Sequence, residues 1–228
     1  CPDLEFVSIE GGLFRMGSNQ SRDEQPLTDV TIPDLQVTRS EVTVEQYRAC
    51  VEAGACDRPQ CTDEDQSNGV VTCNWTEARE DHPVNFVTWH NAYQFARWVG
   101  ARLPSESEWE FAARGGGQAQ KYPWGNQEVS CDRARYVSCP GEGTVPVCSV
   151  ASGLSRQGLC DMAGNISEWV VDHYVDSYRG SPTDGRPRCH ENNCLLDEVF
   201  RVVRGGAWNN LGGGLRASDR NAFGGRAF

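Results

Sequence analysis

Apolar and polar residues alternate near the start of the chain, over residues 6–16. This period of two is typical of a β-strand, whose successive side chains point to opposite faces. Because Gly11 and Gly12 interrupt the alternation, the pattern predicts a β-hairpin at the beginning of the fold. The polar residues from Gly17 to Pro33 predict a loop, and Leu35–Val37 predicts a further strand.

Three short helices are predicted by their N-terminal caps. Apolar residues at helical spacing follow three Ser or Thr residues, which are Thr43, Thr88 and Ser105. Gln46 and Glu108 stand three residues after the first and third of these caps, as in a capping box. Glycines follow the second and third apolar stretches and predict where those two helices end.

Beyond the third helix, the sequence predicts no further helix of any length. Residues 118–150 and 174–198 show no hydrophobic period and predict loops with short strands, whereas Phe200–Arg204 predicts a strand. No linker or internal repeat divides the sequence. We therefore expect a single domain over residues 1–228, with residues 1–5 as an N-terminal tether.

The composition favours a loop-rich globular protein and argues against a nucleic-acid binder. Glycine contributes 24 of the 228 residues and hydrophobic residues only 38%, so turns rather than long helices are expected to hold the backbone. The 21 basic and 32 acidic residues give a net charge of −11, and no basic stripe occurs. No apolar run approaches the roughly 20 residues that cross a bilayer.

The cysteines predict disulfides and an oxidising, extracytoplasmic compartment. Eleven occur, and setting Cys1 aside leaves ten, an even number that fits five disulfides. A zinc site is the competing interpretation, but no C-x2-C pair occurs, and Cys189 and Cys194 are expected to close a small disulfide loop. The acidic stretch 54–82 has no period and predicts an inserted loop cross-linked through its cysteines.

Cys1 has two interpretations, and both remain open. Bacterial lipoproteins begin with a cysteine that is lipid-modified after signal cleavage, so Cys1 would attach a bacterial, secreted or surface protein to a membrane. Residues 2–5 would then form the rest of the tether. The alternative is a trimmed chain, or a cysteine paired elsewhere.

Four motifs built around tryptophan and glycine occur in a fixed order, at residues 100–116, 122–125, 161–169 and 204–208. Through these motifs the chain resembles the formylglycine-generating enzyme family, also called sulfatase-modifying factor domains. The resemblance extends from Phe6 to Arg220. It implies an α+β fold of the C-type-lectin-like type, rich in loops, with short helices and small antiparallel sheets.

The resemblance implies three kinds of activity, and the residues for two of them are missing. Sulfatase-activating members resemble copper-dependent oxidases with a cysteine pair just after an Arg-Gly-Gly-Ser-Tyr element. Here the last cysteine is Cys194, before Arg204–Trp208. A second branch builds iron sites from a His-x3-His-x-Glu arrangement, which none of the four histidines forms; these are His82, His90, His173 and His190. We therefore expect no copper, no iron and no catalytic residue, and no P-loop or G-x-S-x-G motif occurs either.

The resemblance also implies a structural calcium loop between Asp161 and Glu168. The side chains of these two residues and the main-chain carbonyls of Gly164 and Ile166 would be the ligands. Ca²⁺ prefers such mixtures of carboxylate and carbonyl oxygens. The alternative is that Asp161 caps a turn and Glu168 pairs with an arginine.

The segment after the last motif is the predicted ligand site. It offers an aromatic ring, amides, a hydroxyl, a carboxylate and arginines: Trp208, Asn209, Asn210, Arg216, Ser218, Asp219, Arg220 and Asn221. Such a set suits recognition of a protein, a peptide or a glycan. The two arginines would serve equally well as structural groups that hold the carbonyls of glycine loops, and Trp208 as a core residue.

The residues present and missing leave two possible functions. The favoured one is a non-catalytic, extracytoplasmic binding or display module, in the extreme case a variable protein diversified by a retroelement, as in a third branch of the family. The alternative is a maturation enzyme that acts on an exported protein or peptide by chemistry needing no cysteine pair.

Overall fold

The first four strands form one long antiparallel ribbon. The structure, a computed structural model, describes residues 2–62, 73–196 and 199–225. Strands β1 (Phe6–Ile9), β2 (Gly12–Met16), β3 (Thr28–Ile32) and β4 (Leu35–Thr38) are arranged so that β1 pairs with β4 and β2 pairs with β3. The register is continuous, because Phe6 faces Thr38 at one end and Met16 faces Thr28 at the other.

The predicted hairpin over residues 6–16 is therefore wrong in its pairing. β1 and β2 follow one another along one side of the ribbon, and the break between them is at Gly11. A Cβ atom on Gly11 would lie 2.3 Å from the carbonyl oxygen of Ile32, so only glycine allows the two sides to approach there. β3 also lies inside the stretch 17–33 that was predicted as a loop.

The three predicted helices are confirmed, with their caps. They are α1 (Val44–Glu52), α2 (Trp89–Trp98) and α3 (Glu106–Ala113). The capping boxes of Thr43 with Gln46 and of Ser105 with Glu108 are both formed. All eight residues of α3 are buried, so this helix lies at the centre of the fold. The part of the chain that the structure describes contains no further α-helix.

The second sheet is antiparallel and has the order β5-β6-β7. Its strands are β5 (Glu168–His173), β6 (Phe200–Arg204) and β7 (Asn221–Gly224), of which only β6 is predicted from the sequence. β7 has the sequence Asn-Ala-Phe-Gly, which shows no strong strand pattern, and it forms because it pairs with β6.

Among the residues that the structure describes, three apolar clusters fill the interior. The largest joins the ribbon to Trp109 and Phe111 of α3 and to the second sheet. Another lies around Tyr47 of α1 and Phe95 of α2. The third, which includes Tyr122 and Leu215, lies beneath the segment that follows β6. The predicted α+β architecture with small antiparallel sheets is thus confirmed.

Five disulfides cross-link the loops, as the cysteine count predicts. They are Cys50–Cys56, Cys61–Cys73, Cys131–Cys139, Cys148–Cys160 and Cys189–Cys194. The last confirms the predicted small loop. Cys1 and residues 63–72, inside the predicted insertion 54–82, lie outside the described residues, and the domain limits stay a prediction. Within the described residues, no helix has the length and apolar character needed to cross a membrane.

Candidate functional site

The predicted calcium loop has an unusual backbone. Asp161 and Asn165 adopt left-handed φ angles of 54° and 63°, and Gly164 has a φ of 86°. A Cβ atom on Gly164 would lie 2.2 Å from the carbonyl oxygen of Arg135, so this position requires glycine. Non-glycine residues with left-handed φ angles are strained and often occur at functional sites.

The two carbonyls predicted as ligands are available. The N–H of Gly164 donates to Gly205 O at 2.9 Å, and the N–H of Ile166 donates to the carboxylate of Glu41 at 3.0 Å. Among the described residues, no hydrogen bond reaches the carbonyl oxygen of either Gly164 or Ile166. Backbone oxygens without a protein partner are what a cation would need here.

The two predicted carboxylates lie in the same region, and each has a neutral donor. Asp161 Oδ2 accepts a hydrogen bond from the N–H of Cys148 at 2.6 Å. Glu168 Oε2 accepts one from Trp109 Nε1 at 3.0 Å. In the described part of the chain neither forms an ion pair, so the predicted alternative, an arginine partner for Glu168, finds no support.

A third carboxylate, Glu41, joins this loop and is not among the predicted ligands. Its Oε2 accepts a hydrogen bond from Asn165 Nδ2 at 2.7 Å, and its Oε1 accepts the one from Ile166. Glu41 precedes α1 and is separated from Asn165 by 124 positions, so no local pattern connects them. The sequence signal for Glu41 is only that it lies between Phe6 and Arg220, the part of the chain over which the family resemblance extends.

The carboxylates of this cluster are held in an environment that disfavours their charge. Burial raises the pKa of Glu168 to about 7, and the nearby Asp161 adds repulsion. Burial also raises the pKa of Asp161, and it raises the pKa of Glu41 well above its ordinary value, with repulsion from the other two carboxylates. A bound cation would remove this repulsion.

Cys148 and Cys160 lie next to Asp161 but offer no metal ligand. Their sulfurs and a carboxylate oxygen of Asp161 lie within 4.8 Å of one another. Because the two sulfurs are joined in a disulfide, neither is a thiolate, and thiolates are the form of cysteine that binds metals. The oxygen donors of the loop therefore define the candidate site, and hard oxygens suit Ca²⁺ rather than copper.

We expect pH to affect stability through this cluster. In a chelating buffer, raising the pH from about 5 to about 7.5 should destabilise the wild-type protein relative to Glu168→Gln. The folded-state pKa of Glu168, about 7, exceeds its ordinary value of 4.5, so the folded protein holds this proton more tightly than the unfolded chain. The resulting stability is present at low pH and is lost as the pH rises through 7. Urea unfolding across this range measures the difference, and parallel pH profiles for the two proteins would contradict it.

Three residues of the predicted ligand site are buried and bonded inside the protein. Arg216 forms two hydrogen bonds with Glu24, at 2.7 and 2.9 Å, and a third with Asp219. Ser218 accepts a hydrogen bond from Arg216. Arg220 forms two hydrogen bonds with Glu106, at 2.7 and 2.6 Å. The two arginines therefore anchor the segment 216–220 to buried carboxylates of the protein interior.

The other predicted residues reach the surface around Gly214. Asn209, Asn210 and Asn221 are exposed, and Trp208 and Asp219 are half-buried. A Cβ atom on Gly214 would lie 3.8 Å from both Asn210 Cβ and Asp219 Oδ2, which places these two side chains beside it. Asn221 Nδ2 donates to Asp219 Oδ2 at 3.1 Å, which brings Asn221 to the same place.

Apolar side chains outside the predicted ligand site extend this surface. Leu211 follows Asn210 directly and is 76% exposed. Val137 is 48% exposed, and its N–H donates to Asn210 O at 3.2 Å, so it lies beside the segment. Isolated exposed apolar residues are ordinary, but neighbouring ones beside amides are typical of binding surfaces. We call the patch formed by Val137, Trp208, Asn209, Asn210 and Leu211 the C-terminal surface.

Comparison with known proteins gives consistent results. A family model described as sulfatase-modifying factor enzyme 1-like domain matches residues 2–227. The formylglycine-generating enzyme of Thermomonospora curvata is 36% identical over 89% of this chain and 82% of its own length. The serine/threonine-protein kinase Pkn1 of Chlamydia trachomatis is 35% identical over 95% of this chain, which spans only 35% of the kinase.

A solved structure supports the same relationship. The chain is similar to PvdO from Pseudomonas aeruginosa, with a TM-score of 0.76 and 27% identity over 98% of this chain and 89% of PvdO. This likeness confirms the C-type-lectin-like fold that the sequence resemblance implies.

Proposed function

Because this chain belongs to the sulfatase-modifying factor enzyme 1-like domain family, we propose that it is a calcium-stabilised, extracytoplasmic binding module. Its ligand is a protein or peptide segment, and the ligand binds to the C-terminal surface. The observation that carries this proposal is the contrast within the C-terminal segment. Buried arginines fix the backbone, while Asn209, Asn210 and Leu211 face solvent.

The fixed backbone favours binding because the segment is already ordered before a ligand binds. Arg216 and Arg220 tie the segment to Glu24 and Glu106, which lie on distant parts of the chain. A preorganised surface loses less conformational entropy on association than a flexible one. The exposed Leu211 and Val137 favour a protein or peptide ligand, because apolar side chains at the centre of such interfaces contribute much of the affinity.

Calcium is the proposed cofactor, with a structural role. Asp161 and Glu168 would bind it through their carboxylates, and Gly164 and Ile166 through their carbonyls. The uncompensated carboxylates and the free carbonyls described above support this set. The main-chain N–H of Trp208 donates to Asn165 O at 2.9 Å, so an ordered loop would also help to fix the C-terminal surface.

The absence of a cysteine pair supports binding rather than oxidation. No cysteine follows Cys194 in the sequence, and the ten cysteines that the structure describes are all in disulfides. Thiolates that hold Cu(I) would have to come from reduced cysteines. Five disulfides also support an extracytoplasmic, oxidising location.

A peptide display library tests the proposed surface. Peptides selected on the wild-type protein should bind Leu211→Asp at least about tenfold more weakly, since a charge at the centre of an apolar contact is costly. Leu13→Asp is the matched control, because Leu13 is 70% exposed on β2, a comparable leucine outside the C-terminal surface. Biolayer interferometry with the selected peptides gives the affinities.

Two results would reject this version of the proposal. If the selected peptides bind Leu211→Asp and Leu13→Asp with equal affinity, they do not bind at the C-terminal surface. If no peptide is selected but a glycan array gives ligands that Leu211→Asp loses, the surface is correct and the ligand class is wrong.

The second candidate is a maturation enzyme that acts on an exported protein or peptide without a cysteine pair. The similarity to the formylglycine-generating enzyme of T. curvata over most of both chains favours it. Metal analysis of the natively purified protein separates the candidates. Calcium alone fits the binding module, whereas stoichiometric copper or iron would favour the enzyme.

Two narrower proposals concern display. A retroelement-diversified protein requires a near-copy of the coding segment for the C-terminal surface beside a reverse transcriptase gene, and the genomic neighbourhood tests this. Membrane attachment through Cys1 requires a lipid on that residue, and mass spectrometry of the protein from its natural host tests it.

A further inference from the structure

A separate apolar cavity of about 190 Å³ opens between α1, α2 and β1. Buried Tyr47, Val84 and Phe95 line its inner part, and half-buried or exposed side chains such as Phe6 and Trp169 line its outer part. Its lining residues do not include any residue of the C-terminal surface. The outer part of this cavity is open to solvent, and concave, mostly apolar surfaces of this kind are typical of small-molecule sites.

Two of the three charged side chains that line this cavity are acidic. Glu41 and Glu168 both line it, and both also line a smaller neighbouring cavity of about 80 Å³. Arg102 also lines the cavity, but Glu108 binds its guanidinium through two hydrogen bonds of 2.7 Å. The charge of Arg102 is therefore already balanced, and the cavity as a whole is apolar with a negative end.

The acidic residues of the neighbouring calcium loop indicate that a ligand in this cavity carries a positive charge. Three carboxylates, those of Glu41, Asp161 and Glu168, repel one another, and the described residues give them no basic partner. A cation at this end of the cavity would offset the repulsion between Glu41 and Glu168, and a monovalent cation with an apolar body would also fill the apolar part.

We propose that this cavity binds a small primary amine with an apolar body. The body lies against Tyr47, Val84 and Phe95, and the ammonium group donates hydrogen bonds to the carboxylates of Glu41 and Glu168. Burial of the apolar body supplies affinity, and the charge-assisted hydrogen bonds select an ammonium head over a hydroxyl or a carboxylate. This proposal goes beyond the binding module and does not depend on its ligand.

Three probes that share a phenyl group and differ in their polar group test the proposal. They are 2-phenylethylamine, 2-phenylethanol and phenylacetate. Isothermal titration calorimetry is done on the whole protein in EGTA, so that calcium does not compete with the amine for Glu168. We expect the amine to bind at least about tenfold more tightly than the alcohol, and phenylacetate to show no binding at millimolar concentration.

A cavity-filling variant shows where the amine binds. Ala92 on α2 is half-buried and lines the cavity, so Ala92→Leu should weaken amine binding at least about tenfold by occupying the space. The matched control is Ala78→Leu, because Ala78 is exposed and lies outside the cavity. Circular dichroism confirms that both variants are folded.

Three outcomes would overturn the proposal. They are failure of the amine to bind at millimolar concentration, equal affinity for the amine and for either other probe, and unchanged amine affinity in folded Ala92→Leu. Loss of peptide binding by Leu211→Asp is measured separately, so failure of one proposal does not imply failure of the other.

Discussion

Replacing Arg220 with methionine should lower the free energy of unfolding by about 3–5 kcal/mol, because a buried carboxylate then loses its main cation. The Arg220 side chain is only 3% exposed and forms two hydrogen bonds with Glu106. It also donates to the backbone carbonyls of Asp23 and Val175. Methionine occupies similar space but restores none of these bonds. Urea unfolding measures the change, and a thermal scan should show a fall of about 2–4 °C per kcal/mol.

The matched control is an exposed arginine with the same bonding geometry. Arg15 forms two hydrogen bonds with Asp29, at 2.8 and 3.0 Å, but the two side chains are 65% and 52% exposed. Exposed pairs contribute little, so Arg15→Met should unfold at nearly the same urea concentration as the wild type. If Arg220→Met were as stable as Arg15→Met, Arg220 would not be structural, and its predicted role in ligand binding would regain support.

The sequence could not distinguish these two roles for Arg216 and Arg220. Their partners Glu24 and Glu106 lie 192 and 114 positions away, and no local pattern connects residues at such separations. Only the tertiary fold shows that these guanidinium groups point inward, while Asn209, earlier in the same segment, points to solvent. The sequence predicts a ligand-binding segment but does not show which of its side chains a ligand could reach.

The helices were predictable because their signals are local. A capping box joins residues three positions apart, so Thr43 with Gln46 and Ser105 with Glu108 define helix starts without reference to the rest of the chain. The ribbon is different, because alternation predicts a strand but does not name its partner. Whether Gly11 lies at a hairpin turn or at a break between two successive strands depends on where residues 28–38 lie.

The calcium loop was predictable in part, less fully than the helices but better than the pairing of the ribbon. The family resemblance places Asp161, Gly164, Ile166 and Glu168 close together, and the structure shows the uncompensated charge and the free carbonyls. Glu41 was not predictable, because it comes from the segment before α1 and reaches the loop only in the folded protein. Its presence raises the number of neighbouring carboxylates from two to three and strengthens the case for a cation.

Adding calcium to the protein should raise its thermal stability, and chelation should reverse the effect. At a free calcium concentration about 100 times the Kd, binding to the folded state alone stabilises it by about 2.7 kcal/mol. For a chain of this size, each kcal/mol corresponds to about 2–4 °C in Tm. Differential scanning calorimetry in EGTA and in excess calcium measures the shift. Magnesium should have a smaller effect, since it prefers a regular octahedral site and retains its water.

The variant that tests the ligands is Glu168→Gln. Glutamine keeps the size of the side chain and an oxygen that can accept the hydrogen bond from Trp109, so the fold should persist. It removes one charge from the site, and the calcium-dependent shift in Tm should largely disappear. Glu10→Gln removes an exposed charge outside the loop and should keep the full shift. An equal calcium response in the two variants would show that calcium acts elsewhere on this acidic protein, and the loop would then have to be held by its hydrogen bonds alone.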